Sequence, residues 1–135
     1  MDGAGKGRTR RLAGRLALAG ACLAGAPMPV EAEPPPTARR EIALLFAHLE
    51  QSGCRFNRNG TWHSALEARE HLDRKYRYLA DRGLADTAEA FIDAGASRSS
   101  TSGRPYQVQC AGTPVQDSGP WFRQELARLR QAGRG

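Results

Sequence analysis

Long apolar runs are scarce in this chain of 135 residues. The one extended run, Leu16 to Ala26, is about half the roughly 20 residues that a membrane-spanning helix needs, so no stable transmembrane span is expected. Cysteine is scarce too, at three residues, and the histidines His48, His63 and His71 do not stand at finger-like spacing from a cysteine pair. No metal site and no cofactor are therefore expected. Aromatic residues make up only 7%, and no basic stripe is interleaved with them, so nothing points to nucleic acid. A Gly-x-Ser-x-Gly elbow and a Ser-x-x-Lys motif are both missing. Glu67 and Glu70 lie three apart on a helical pattern, an ordinary solvated spacing rather than an acid and base pair. No catalytic residue is assigned, and an enzyme is not expected. There is no internal repeat.

What is present begins with a leader. Lys6, Arg8, Arg10, Arg11 and Arg15 precede the apolar run, and Val30-Glu31-Ala32 places small or β-branched residues before a cut at Glu33. That order predicts a cleaved signal peptide over residues 1–32 and an exported, periplasmic protein. Thr9-Arg10-Arg11 resembles a twin-arginine signal, and Ala19-Gly20-Ala21-Cys22 resembles a lipobox with its leucine displaced by one place, to Leu18. The plainer reading takes Cys22 as a small apolar residue of the leader. Removing the leader takes five of the twenty basic residues and two of the fourteen acidic ones, so the net charge falls from +6 to +3. The remaining chain is only mildly basic. It keeps two cysteines, Cys54 and Cys110, and in an oxidising compartment two cysteines usually pair. The loop closed would hold about 56 residues, worth roughly 4 kcal/mol in the chain-entropy model.

Glu33 to Pro36 opens a proline-rich linker, taken as residues 33–39. Thr37 can cap a first helix, with Glu41 near the reach-back position. Ile42, Leu45, Phe46 and Leu49 then form one apolar face, and Gly53 closes the helix. Asn59-Gly60 between two alternating runs predicts a hairpin, with Cys54, Phe56 and Trp62 on or near the buried face and Arg58 and Asn59 at the tip. Ser64 and Glu67 form a capping box for a long helix to about Arg82, with Leu66, Ala68, Leu72, Tyr76 and Leu79 inward and Lys75 and Tyr78 flanking them. Asp86 and Glu89 read as a second box, for a helix carrying Ala88, Phe91 and Ile92. Tyr106 to Cys110 and Val115 to Asp117 read as a second hairpin. Ser118 reads as the cap of a last helix, carrying Trp121 or Phe122, Leu126 and Leu129, with a frayed tail over 131–135. The expected fold is α+β: about four helices packed on a small antiparallel sheet made of two hairpins, in one domain over residues 40–130. The hairpins lie side by side, because a lone hairpin is marginal in water, and a Cys54–Cys110 disulfide would staple them.

Ser52-Gly53-Cys54, Phe56, Arg58-Asn59-Gly60 with Trp62, His71-Leu72, Lys75-Tyr76, Tyr78-Leu79 and Phe91-Ile92 form a set. Together with Ser99-Ser100-Thr101-Ser102-Gly103 and Pro105-Tyr106, that set resembles the YfeK-like family of small exported bacterial proteins, across about residues 40 to 130. Thr101 stands where a larger residue, often Met, is expected. The resemblance implies an exported α+β domain of unknown function, and no activity.

The candidate surface is the serine-rich stretch Ser97 to Tyr106, with Ser99, Ser100, Ser102, Gly103, Arg104 and Tyr106 as its candidate residues and Arg58, Asn59, Lys75 and Tyr76 beside it. Hydroxyls and free backbone N–H groups can form an anion-binding concavity, and Arg98 or Arg104 can add charge-assisted bonds. The plainer alternative is that the hydroxyls tie down a helix end and a strand start, while Lys75 snorkels from an apolar stripe. Three functional readings stay open. The first is a non-catalytic module that binds an envelope protein or another envelope component. The second is a small-ligand or anion-binding domain, and the third a serine hydrolase. A ligand site predicts a concave pocket with convergent polar groups, and a partner surface predicts an exposed apolar patch.

Overall fold

A computed structural model describes residues 33–134, together with residues 14–27 and Gly3, Gly5 and Gly7. The twin-arginine stretch and the expected cleavage site at Val30-Glu31-Ala32 lie outside the described residues. Residues 14–27 form no helix or strand and are exposed, and the Cys22 thiol there is free.

Helix α1 spans Pro36–Gln51 and starts inside the stretch expected to be linker. Its start is also a correction to the expected cap. Pro35 holds the N-cap place, no side chain caps the helix, and Thr37 is already helical. Proline has the helical φ built in and lacks the N–H that would be left unpaired, so Pro36 opens the helix without help. Glu41 turns to Arg130 on the last helix instead of reaching back. At the other end Gly53 takes φ 65°, the left-handed turn that lets the chain leave into strand β1, Arg55–Arg58.

Asn59 and Gly60 both have positive φ, 52° and 87°, so the link to β2, Thr61–His63, is a tight two-residue turn. Phe56 pairs with His63 and Asn57 with Trp62. Trp62 therefore lies on the sheet face opposite Phe56 and is half-buried rather than in the core. Helix α2, Ala65–Ala80, has the complete capping box: Ser64 Oγ accepts from the Glu67 N–H, and Glu67 Oε2 accepts from the Ser64 N–H. Leu72 and Leu79 face the core, but Leu66 is exposed and Ala65 takes the buried place. Helix α3, Ala88–Phe91, is capped by Thr87 and not by Asp86. It runs on as a wide π turn over Ile92–Ala96.

Strand β3, Gln107–Gln109, pairs with β1 as well as with β4, Gln116–Asp117, giving one four-stranded antiparallel sheet in the order β2-β1-β3-β4. Phe56 and Val108 are paired and buried, while Arg55, Gln109 and Gln116 are exposed, so the sheet is apolar on one face. Against that face stand Phe46 and Leu49 of α1, Phe91 of α3, Ile92 of the π turn, and Phe122 and Leu126 of helix α4, Ser118–Ala132. Asp117 occupies the N-cap place of α4. Ser118, expected to be that cap, is the first helical residue, and its hydroxyl donates to the Ala96 carbonyl at 2.6 Å in the interior. Arg130 fastens α4 to Glu41 of α1 and to Glu89 of α3. No helix among the described residues is long and apolar enough to cross a membrane.

The Cys54–Cys110 disulfide is present, with the Cα atoms 4.3 Å apart. The two cysteines sit just outside the strands, where Arg55 opposite Gln109 makes Cys54 and Cys110 the next facing pair of the ladder. Cys54→Ser and Cys110→Ser are expected to destabilise the fold equally, each by roughly 4 kcal/mol. The double substitution should add little to either single one in denaturant unfolding. Additive losses would show that the two sulfurs do not act as a unit.

Candidate functional site

The β1–β3 pairing brings the tip of the first hairpin against the serine loop. Within that loop, Arg98 and Pro105 form a bridge, the Ser99 N–H donates to the Arg104 carbonyl, and the Gly103 N–H donates to the Ser99 carbonyl. Gly103 takes φ 72° to close this small turn. Ser97 Oγ donates to the Ile92 carbonyl at 2.6 Å and so ties down the end of the π turn. Ser99 is buried, and its hydroxyl accepts from Asn59 Nδ2 at 3.2 Å. Ser102 Oγ donates back to Asn59 Oδ1 at 2.5 Å. The amide of Asn59 therefore clamps the loop from across the sheet. Most of the hydroxyls expected to bind a ligand are used in holding the loop. Ser100 and Thr101 line the outer cleft. Gly103 and Arg104 are exposed and line neither cleft described below.

Beside the loop, four side chains from three elements form one chain of hydrogen bonds. Arg58, at the end of β1, donates from its guanidinium to His71 Nδ1 at 2.7 Å. The same guanidinium nitrogen lies 3.3 Å from His71 Nε2. His71 Nε2 and Tyr106 Oη share a hydrogen bond at 3.1 Å. Lys75 Nζ also donates to Tyr106 Oη at 3.1 Å, and to the Arg98 carbonyl at 2.9 Å. His71 and Lys75 lie four apart on α2, which places them one above the other on the same helix face.

Burial and mutual repulsion set the protonation of this group. Burial, then the charge of Arg58, pulls the His71 imidazole down to about 4, so it is neutral at pH 7. Burial, then Arg58, lowers Lys75 to about 8. Burial raises Tyr106. The chain has eighteen arginines but only two lysines, so Lys75 is the one cation of this cluster that can lose its proton near neutrality. Among the described residues neither Arg58 nor Lys75 pairs with a carboxylate.

Two adjoining concavities meet at this cluster, and Arg58, His63, His71 and Tyr106 line both. The outer cleft is open and runs past Asn59, Lys75, Ser99 and Ser100. The inner chamber, of about 240 Å³, runs down between α2 and the sheet to Phe56, Leu72 and Phe122. Arg58, Asn59, Lys75, Ser99, Ser100 and Tyr106 are thus brought together. Tyr76 is not: its ring packs edge-on against Phe46 and Phe91, with centroids 6.1 and 5.5 Å away. His71, part of the set that carries the family resemblance but not one of the candidate site residues, is central. Its spacing from Lys75 was the available signal.

A family described as "Family of unknown function (DUF5329)" matches residues 36–130 of the chain. The chain is also similar to a Salmonella typhimurium protein titled "Uncharacterized protein YfeK", at 44% identity over 64 residues. That alignment covers 47% of this chain and 52% of the relative, so the chain spans about half the length of the relative it matches. No solved structure matches the chain.

Three outcomes are expected from this geometry. In an NMR titration the His71 ring should protonate near pH 4, and Arg58→Gln should move that midpoint upward. The unfolded ring binds its proton near 6.5, so stability should fall as pH drops from about 6.5 towards 4, and His71→Gln should flatten that slope. Asn59→Gly keeps the turn but removes the clamp. Amide exchange should then quicken across Ser99–Gly103 and not in β1.

Proposed function

Since the chain belongs to this family of unknown function, its role has to be argued from the site, and we propose that it is a non-catalytic, exported domain that binds a small oxyanion in the cleft between α2 and the serine loop. The observation that carries this reading is the pair Arg58 and Lys75. Both are partly buried at a concave surface and neither has a carboxylate counter-ion among the described residues. Removing positive charge from water costs free energy unless it is paired, and an anion in the cleft would offset that cost. The guanidinium fork suits a carboxylate, sulfate or phosphate group. The neutral His71 holds Arg58 and Tyr106 in place without adding charge.

The partner-surface reading has less to rest on. Among the described residues of the folded part, the large exposed apolar side chains are Leu44 of α1, Leu66 and Tyr78 of α2, and Leu84 and Val115 of loops, and Tyr78 is covered by the Arg82 guanidinium. A serine hydrolase has less still, because Ser99 and Ser102 are bonded to Asn59 and no base stands against either hydroxyl. Export rests on the leader pattern and on a disulfide whose cysteines continue the sheet register.

Sulfate, which does not titrate near neutral pH, is the probe. Calorimetry should show Arg58→Gln and Lys75→Gln each weakening sulfate binding by about tenfold or more, and Tyr76→Phe leaving it unchanged. In the wild type, affinity should fall as pH rises through about 8, because Lys75 loses its charge there. Lys75→Gln should abolish that fall. Sulfate binding that is indifferent to both basic residues would overturn the reading.

A further inference from the structure

The inner chamber does not need to be where it is for the outer cleft to bind an anion. Its depth and its lining ask for a different partner. The walls are the apolar side chains of Phe56, Ala68, Leu72 and Phe122, and the ring of Tyr106 stands at the boundary with the outer cleft. At the floor are Ala96 and Ser118, and the Ser118 hydroxyl is already committed to the Ala96 carbonyl at 2.6 Å. The floor therefore offers a ligand no free hydroxyl, only carbon. An engineered apolar cavity of about 150 Å³ is known to hold a benzene ring, and this chamber is larger, at about 240 Å³.

The mouth is polar and carries charge of both signs. Arg58 lines it and, through the shared wall, Lys75 stands beside it. Helix α2 contributes Glu67, Glu70 and Arg74. Glu67 is held there by the capping box and lies 3.6 Å from His63 Nδ1. A negative head group entering the mouth is repelled by Glu67 and Glu70 and drawn to Arg58 and Lys75, whose partial burial without a carboxylate partner among the described residues favours that end. The apolar part of the same molecule can then bury itself against the chamber walls.

We propose that the ligand is a single-tailed amphiphilic anion, with its oxyanion head between Arg58 and Lys75 and a short alkyl or aryl tail in the chamber beneath Tyr106. This rests on the anion-binding reading above and names the class of molecule it takes. The juxtaposition that supports it is one continuous wall, His71 and Tyr106, with charge on its outer side and carbon on its inner side. A membrane lipid is a poorer fit, since the tail space lies inside the fold, between a helix and the sheet, rather than on a surface.

The test is a series of alkyl sulfates, methyl, butyl, hexyl and octyl, each titrated below its aggregation limit into the full chain, with inorganic sulfate, octanoate and 1-octanol alongside. Affinity is expected to rise roughly three- to fourfold per methylene and to level off once the tail fills the chamber. Octanoate should bind and 1-octanol should bind far more weakly than octyl sulfate. Ala68→Leu, on a helix wall and away from both basic residues, should flatten the chain-length series while leaving inorganic sulfate unchanged. A flat series with inorganic sulfate still bound would overturn the amphiphile and leave the anion site standing. If neither sulfate nor octyl sulfate bound, both readings would fall. Octanol binding as tightly as octyl sulfate would overturn the link between head and tail, and so would binding to phosphatidylglycerol vesicles without binding to any free alkyl sulfate. The wild-type series decides these outcomes even if the Ala68→Leu variant does not fold.

Discussion

Pairing between β1 and β3 is the constraint on which the molecule is built. The two strands are about fifty residues apart in sequence, and neither hairpin is long enough to be stable alone. Joined, they form a sheet with one apolar face, and the disulfide fixes the end of their ladder. Everything functional in the site depends on that union. Arg58 and Asn59 come from the first hairpin, Tyr106 from the entry to the second, and the serine loop is held where Asn59 can reach it. Helix α2 then lies across the joint and contributes His71 and Lys75. A reduced or mispaired chain would lose the cleft as well as the stability, because no single hairpin contains enough of it.

The charge arrangement follows from the same packing. The cluster puts two cations and a neutral imidazole around one phenol, in a place only partly open to water. In an ordinary surface cluster a glutamate or aspartate would stand nearby, as Glu41 and Glu89 do for Arg130 and Asp73 does for Arg77. Here no carboxylate among the described residues stands within ion-pair distance of Arg58 or Lys75. Folding therefore holds two cations near each other with no such carboxylate beside them, and burial together with the charge of Arg58 lowers Lys75.

Much of the fold was legible because its signals are local. Asn59-Gly60 specifies a tight turn through backbone preference alone, and Ser64 with Glu67 specifies a helix start through two reciprocal bonds. The errors fall where neighbouring residues compete for one role. Asp86 and Thr87 can both cap, and Thr87 does; Asp117 and Ser118 can both precede α4, and the buried carbonyl of Ala96 claims the serine. Leu66 was assigned inward from helical spacing, but the stripe that packs runs through Ala65, Leu72 and Leu79. The site was only half legible. Arg58, Asn59, Lys75 and Tyr106 were marked by their neighbours, but their meeting depends on strand order, which no local pattern encodes. Tyr76 went the other way, because the two faces of α2 that carry Lys75 and Tyr76 cannot be ranked without knowing what covers each.

The Arg98–Pro105 bridge gives the serine loop a sealed base. Between those two residues the backbone satisfies itself, and only Asn59 reaches in from outside. Ser102, bonded to Asn59, and Gly103, at φ 72°, keep the turn closed above that base. The shape of this rim is thus set by backbone and by one amide, and Ser100 and Thr101 are the exposed side chains it turns toward the cleft.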